Sequence, residues 1–600
     1  MLWKSLPIIL ILIVIATSLF TIALAEAKGP EVITEDNWRV YFKPQGPWVE
    51  KLVIKLLPNP KDEALAVERG EVDITSWHIP IDLARKLKEE NFTVVATPSY
   101  FYYALYFNLR KWPLNDIYFR RAIAHLVDKD RIVRDILKGA GVPIDTFVPP
   151  IFGEWVNRKV KRYEYSPELA IKCLEEGGYR YSKERGTWIG PNGREVPRLY
   201  ILAPSNDPIK VEVAKLIARE ARRIGLPIYV KEVDFNTLLQ LIDPSVARFD
   251  MFILGRHPGY TLDYLYQSFH SSQDRAHGWN WAGVKDPELD RWLEKILLAR
   301  SRDEVMMAVH KVQEILAEKL PGIPLYVRIL YSVARKGWRY LVAEPGFGVT
   351  GSIPLGGWTY LMARSEKFKV LRLSLPTSRI SSLNPLVTIS GYDWYVLGRI
   401  YDPLIAINPF TLELMPWIAV KWSTEKWSRG IIVTIHIAKN ITWHDGTPLT
   451  AHDVAYTYKL LKLSSIWAPK VKYVVKTEVV DNYTVRIYLN TSSYWALYWI
   501  GYVPVLPKHI WEKVEDPLTY PNDRPVGSGP YIFKSYEPEK KIVVLLANKK
   551  YFKYPKVLKI RTAEEVGVGM RNVLHYIVIA SIVVVAVGIA LWRLRRHHEH

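Results

Sequence analysis

Cysteine is almost missing from this chain: Cys173 is the 1 thiol among 600 residues. That excludes an intrachain disulfide and a cysteine-based structural zinc site, each of which needs at least two thiolates, and with them any redox chemistry between paired thiols. Glutamine is confined to Gln45, Gln240, Gln267, Gln273 and Gln313, and methionine numbers 7. Depletion of such labile residues is the composition of a heat-adapted protein and suits a thermophilic archaeon. The common catalytic signatures are missing too: there is no G-x-S-x-G elbow, no H-E-x-x-H and no Walker A loop. Nothing in the sequence argues for an enzyme, a cofactor or a bound metal.

What is present is ample material for large cores. Hydrophobic residues make up 49%, aromatics 12% and charged residues 24%, which rules out compositional disorder. At roughly 150 residues per domain the length predicts about four domain-sized units. The 81 basic residues outnumber the 61 acidic ones, for a net charge of +20, a balance that invites a nucleic-acid or anionic-membrane reading.

The two ends bear on that choice. Residues 5–25 carry no charge, follow Lys4 and close on Ala23-Leu24-Ala25, an A-x-A-like exit; residues 1–25 are expected to be a secretory signal, with an uncleaved anchor as the alternative. Residues 576–592 form an unbroken apolar run which, extended back through residues 572–575, is long enough to span a bilayer; Arg593, Arg595 and Arg596 follow. A transmembrane helix over 571–592 with a cytoplasmic tail over 593–600 is the expectation. The protein is then a single-pass cell-membrane protein with an extracytoplasmic ectodomain. Its basic excess would face anionic lipid, an acidic coat or anionic ligands, and no nucleic acid. Four N-x-[ST] sequons lie in that ectodomain, at Asn91, Asn440, Asn482 and Asn490.

Between the ends, short strands alternate with amphipathic helices. Ile117, Ala122, Ile123, Leu126, Val127, Ile132, Ile136 and Leu137 recur at helical spacing and predict one helix over 115–138, stopped by Gly139. Further helices are predicted over 208–224, 287–298 and 303–320, and strands over 431–437 and 483–489. This alternation implies mixed α/β layers. His444, Asp445, His452 and Asp453 invite a metal reading, but Thr450 and Asp453 suit a capping arrangement for a helix over 454–463, and Asp445-Gly446 a turn. Gly527-Ser528-Gly529-Pro530 predicts a tight turn; no Lys-Ser/Thr follows to make a phosphate loop. Glu175 and Glu176 fit a solvated helix face better than a catalytic dyad.

Several strings carry a family resemblance. WHDGTPLTAHDVAYTYKLL (443–461), VGSGPYIFKSYEP (526–538) and LANKKYF (546–552) resemble the first half of the extracellular solute-binding proteins of the peptide/oligopeptide class, the receptors of ABC importers. GEVDIT (70–75), YFNLRKWPLNDIYFRRAIAHLVDKDRIV (106–133), FDMFILG (249–255) and AEKLPGIPLY (317–326) resemble the second half. The halves stand in swapped order, and the junction recurs: Asn37, Tyr41, Phe42 and Lys43 before KLVIK (51–55) echo Asn548, Tyr551, Phe552 and Lys553 before KVLKI (556–560). A circularly permuted receptor is the expectation, with half of a double receptor that needs a second chain as the alternative.

The resemblance implies a two-lobe, periplasmic-binding-protein-like α/β fold of class II type, with mixed sheets flanked by helices and an extra small domain. Residues 26–100 with 336–400 and 520–568 are expected to form lobe I, 101–335 lobe II, and 401–519 an additional domain beside lobe I. Hinge strands are expected near 97–107 and 327–340. The ligand cleft is placed between the lobes, at Asn384, Tyr392 and Trp394 on one side and along GRHPGYTLDY (255–264) on the other. There Arg256 would meet a carboxylate and Asp263 an α-amino group, with a turn role as the alternative for Asp263. Trp279, Asn280 and Trp281 would stack on the ligand or pack the loop. The 22 Trp and 36 Tyr suit peptide or sugar recognition. The expected function is capture of oligopeptides for an ABC permease with a cytoplasmic ATPase; the alternatives are an oligosaccharide receptor and a structural or signalling ectodomain.

Overall fold

Three sheets organise the molecule in the computed structural model, which describes residues 29–555 except Trp77, residues 350–356 and Arg429. The expected signal (1–25), membrane helix (571–592) and tail (593–600) lie outside the described residues. Among the described residues no helix is long and apolar enough to cross a membrane.

The largest sheet has six strands, in the order Gly141–Pro143, Gly322–Ala334, Thr93–Phe107, Met251–Arg256, Leu199–Pro204 and Ile228–Val233. Leu199–Pro204 lies parallel to both of its neighbours, as the crossover helix Pro208–Arg223 requires. Its core is one cluster that includes Leu105, Phe119, Ile123, Leu174, Ile201, Ala214, Ile217, Met251 and Leu325. A four-stranded mixed sheet runs Val370–Leu375, Lys51–Leu56, Ile542–Ala547, Tyr531–Glu537. Lys51–Leu56 alternates strictly, burying Leu52, Ile54 and Leu56. It lies parallel to Val370–Leu375 and antiparallel to Ile542–Ala547. The third sheet is antiparallel: Ala419–Trp427, Gly430–Ile437, Thr484–Leu489, Val474–Asp481. Val433, Ile435, Val485 and Ile487 are fully buried, and the helix Ala451–Leu461 packs on this sheet.

The first two sheets are joined by a ribbon. Thr93–Phe107 and Gly322–Ala334 pair over their whole lengths, with register shifts between Pro324 and Tyr326 and between Val327 and Ile329. Such irregularities bend a ribbon. Beyond the bend, Ile74 bridges both Ala334 and Leu373. The neighbouring Asp73, fully buried, fastens the same corner: it accepts from the Arg372 backbone N–H (2.9 Å), from Arg372 Nε (3.0 Å) and Nη2 (2.8 Å), and from Arg335 Nη1 (3.2 Å). The GEVDIT string is therefore a structural clamp.

Local signals set most helix limits. Asp286 caps Pro287–Leu298 by accepting from Glu288 and Leu289 N–H. Arg302–Lys319 opens with a Ser301/Glu304 capping box and ends as Leu320 turns left-handed (φ 46°) before Pro321. The single helix expected over 115–138 is a correction: Ile117–His125 stops, and Asp128 accepts from Arg131 N–H to start a new segment that continues as a wider turn over Ile132–Ile136. The periodic apolar residues all face one core, so the pattern crosses a break that only Asp128 marks. The helix expected over 454–463 runs Ala451–Leu461, with Thr450 and Asp453 in a reciprocal cap. His444 holds the neighbouring turn, Nε2 to Gly529 O (3.0 Å) and Nδ1 accepting from Gly527 N–H (3.3 Å). A Cβ at Gly527 would sit 1.8 Å from Ile400 O, and one at Gly529 would sit 2.5 Å from Arg399 O; the GSG string is glycine-rich because a turn is pressed onto the helix Gly391–Ile400.

Candidate ligand cleft

The six-stranded lobe and the antiparallel domain face each other across the loop that follows Met251–Arg256. The rings of Tyr260 and Tyr502 meet edge to face at 5.3 Å. Farther along, Trp495 Nε1 donates to Ile296 O (3.0 Å) and Tyr494 N–H to Ala299 O (2.8 Å), while Trp155 and Trp495 lie 5.8 Å apart.

Asp263 stands in this loop, half-buried, accepting a hydrogen bond from the Thr261 hydroxyl. Burial pushes its carboxyl upward, against the Thr261 hydroxyl, its own backbone N–H and the charges of Lys472 and Arg256. The opposing lysines come from the antiparallel domain. Lys470 is exposed, its ammonium 4.7 Å from the centre of the Trp467 ring. Desolvation pushes its pKa down, and the charge of Asp263 acts in the other direction. Asp263 and the two lysines are thus within electrostatic reach of one another.

Arg256 lies beside Asp263 with 4% of its surface exposed. Its guanidinium sits 4.2 Å from the Trp279 ring and 5.8 Å from those of Tyr264 and Trp281. Among the described residues its one side-chain hydrogen bond is a long one, Nη2 to Gln267 Oε1 at 3.4 Å, and buried Nε and Nη1 have no partner there. Burial holds its pKa below the usual guanidinium range. An unsatisfied buried guanidinium costs free energy, and a carboxylate would relieve it. Trp279 is 46% exposed and stacks on Trp281 at 5.8 Å. His257 lines the same loop, its Nδ1 accepting from Gly259 N–H (2.9 Å) and its ring near Tyr100 and half-exposed Phe101. Burial lowers its pKa to about 4.

Of the residues singled out from the sequence, Arg256, Asp263 and Trp279 come together. Tyr392 stands half-buried on the helix Gly391–Ile400, its hydroxyl pushed up by burial and by the charge of Glu63. The other three are buried and hydrogen-bonded within the protein. Asn384 donates to Pro517 O and Tyr520 O, both at 2.8 Å, and accepts from Leu386 N–H. Asn280 donates to His270 O and Val284 O and accepts from Val284 N–H. Trp394, 4% exposed, donates to Thr388 O and packs edge-on against Trp467. The reason is common to all three: a loop that must turn sharply inside the protein needs its backbone groups satisfied, and Asn or Trp donors do that. Lys470, Lys472 and Tyr502 are not marked by the sequence, whereas Tyr260 falls within the GRHPGYTLDY string. Lys470 is 207 residues from Asp263 in the chain, and no local motif marks it.

Two lobes of mixed α/β structure joined by a strand ribbon define a periplasmic-binding-protein-like architecture. The chain belongs to the bacterial extracellular solute-binding proteins, family 5, whose middle-region model matches residues 26–276 and 413–564. It is similar to the dipeptide-binding protein of Escherichia coli, at 25% identity over 32% of this chain and 34% of that one. It is also similar to the oligopeptide-binding protein AppA of Bacillus subtilis, at 22% identity over 48% of this chain and 52% of the other. The oligopeptide-binding protein of Thermus thermophilus, solved with a pentapeptide, superposes with a TM-score of 0.42 at 22% identity, covering 51% of this chain and 55% of that one. The chain thus spans between a third and about half of the length of these curated relatives.

Proposed function

We propose that this protein is the extracytoplasmic receptor of an ABC importer and that it captures oligopeptides in the cleft between its lobes. The observation that carries this reading is the buried Arg256 guanidinium, whose Nε and Nη1 have no partner among the described residues and which stacks on exposed Trp279, with Asp263, Lys470 and Lys472 within electrostatic reach of the same loop. A zwitterionic chain complements such a site: its ammonium suits Asp263, and its carboxylate suits the lysines or Arg256. Trp279 and Phe101 offer apolar surface for side chains. The relatives, a dipeptide-binding and an oligopeptide-binding protein, support the same ligand class. Closure would bend the ribbon Thr93–Phe107/Gly322–Ala334 near its register shifts, and a ligand touching both walls would favour the closed state by its differential affinity. Delivery to a permease at the membrane completes the proposal.

Oligosaccharides are the second reading, favoured by the Trp279/Trp281 stack. A thermal-shift screen separates the two: peptides of two to nine residues should raise Tm and cello- or xylo-oligosaccharides should not. The reverse result overturns the peptide assignment.

The same reading includes circular permutation. A collinear alignment matches only one half of a permuted chain at a time, and coverage near half on both sides is what that predicts. Lys51–Leu56 lies between Val370–Leu375 and Ile542–Ala547 within one chain, and Asp73 meets Arg372 across 299 residues. Both favour completion of lobe I without a second chain. A monomeric mass by light scattering is expected; an obligate dimer would contradict it.

A further inference from the structure

The chain's buried asparagines are committed to the fold. Asn108, Asn157, Asn280, Asn384, Asn522 and Asn548 expose 6% or less, and each donates its side-chain amide within the protein. The four sequon asparagines differ on both counts. Asn91, Asn440, Asn482 and Asn490 are exposed, each at a turn or bend, and among the described residues none of their side chains makes a hydrogen bond.

The third residue of each sequon separates the four. An enzyme that modifies a folded sequon must reach the hydroxyl as well as the amide. Thr93, 8% exposed, spends its hydroxyl on Glu31 at 3.2 Å. Thr484, 9% exposed, shares its hydroxyl with His436 Nδ1 at 3.2 Å. Thr442 and Ser492 are half-exposed with no side-chain hydrogen bond among the described residues, and Ser492 opens onto a groove of about 750 Å³ that Lys426 and Tyr498 also line. Asn440 and Asn490 therefore present amide and hydroxyl together, whereas Asn91 and Asn482 present the amide alone.

From this contrast we infer that the folded protein is N-glycosylated at Asn440 and Asn490 and left unmodified at Asn91 and Asn482. The donor is an oligosaccharide linked through phosphate to a polyprenyl lipid. The asparagine Nδ2 attacks the anomeric carbon, the bond from that carbon to the phosphate oxygen breaks, the lipid phosphate leaves with the electron pair, and Nδ2 loses one proton. No oxidant or reductant takes part. Modification follows folding in this scheme, because the distinction among the four sites exists only in the fold. The inference rests on the extracytoplasmic placement proposed above.

Its test uses full-length protein in its native host. External protease on intact cells reports the placement, and glycopeptide mass spectrometry of the purified protein reports occupancy site by site. Accessible protein with glycan on the Asn440 and Asn490 peptides and none on the other two is the expected result, and Asn440→Gln with Asn490→Gln should abolish the glycan mass. Accessible protein with both peptides bare overturns the inference and spares the placement. Equal occupancy at all four sites overturns the dependence on folding. Protection from the protease overturns placement and inference together.

Discussion

Single side chains divide into those that shape the cleft and those that face it, and the two groups should respond differently to substitution. Asp263→Asn removes a charge complementary to an ammonium, and a charge-assisted hydrogen bond is worth about 1.5–3 kcal/mol; peptide affinity by calorimetry should fall roughly tenfold to a hundredfold with Tm little changed. Asn384→Ala should do the opposite. It strands the Pro517 and Tyr520 carbonyls that Asn384 satisfies, lowering stability by about 1–3 kcal/mol in a denaturant titration and leaving affinity nearly unaltered. Protonation separates residues in the same way. Asp402 is buried and accepts from Trp417 Nε1, the Tyr551 hydroxyl and the Ser528 hydroxyl, yet desolvation raises its pKa to about 6. A carboxyl raised on folding contributes stability that is complete below its unfolded value near 3.8 and is lost as pH climbs through about 6. His257 and His444 carry the other sign: held near 4 by burial, they contribute stability above about 6.5 that is lost as pH falls through 4. The unfolding free energy of Asp402→Asn relative to the parent should therefore rise between pH 4 and pH 7, by an amount on the order of 3 kcal/mol at most, read by denaturant titration at each pH. A flat difference would refute the assignment.

At the level of elements, two strings that carry the family resemblance act as joints. Asp73, from GEVDIT, ties Val370–Leu375 to the end of the ribbon through two arginines. Removing one partner of a buried ion pair typically costs 3–5 kcal/mol, so Asp73→Asn should lower the denaturation midpoint sharply with its chemistry nearly isosteric. Gly527→Ala drives a methyl into Ile400 O and should destabilise by about 1–3 kcal/mol. Helices with strong local signals were legible from the sequence: Asp286-Pro287 announces the start of Pro287–Leu298, and Pro208 that of Pro208–Arg223. The break at Leu126–Asp128 was not, because the apolar period continues through it toward one core. The cleft was legible on one wall only. Arg256, Asp263 and Trp279 fall in a continuous stretch, so a local string marks them. Lys470 and Lys472 reach the cleft through the packing of one domain on another, and Asn280, Asn384 and Trp394 look like ligand residues until their backbone partners are known.

For the whole molecule, the chain order and the function meet in the ribbon. Two lobes joined by Thr93–Phe107 and Gly322–Ala334 suit hinge motion, and lobe I draws strands from both ends of the described chain. The central claim is that this architecture recognises a peptide by its amino terminus at Asp263. It is tested most directly by calorimetry on the protein with one peptide in two forms, free and N-acetylated. The free peptide should bind at least about tenfold more tightly, about 1.4 kcal/mol, and Asp263→Asn should erase the difference. Equal affinity of the two forms for the parent protein would contradict the account.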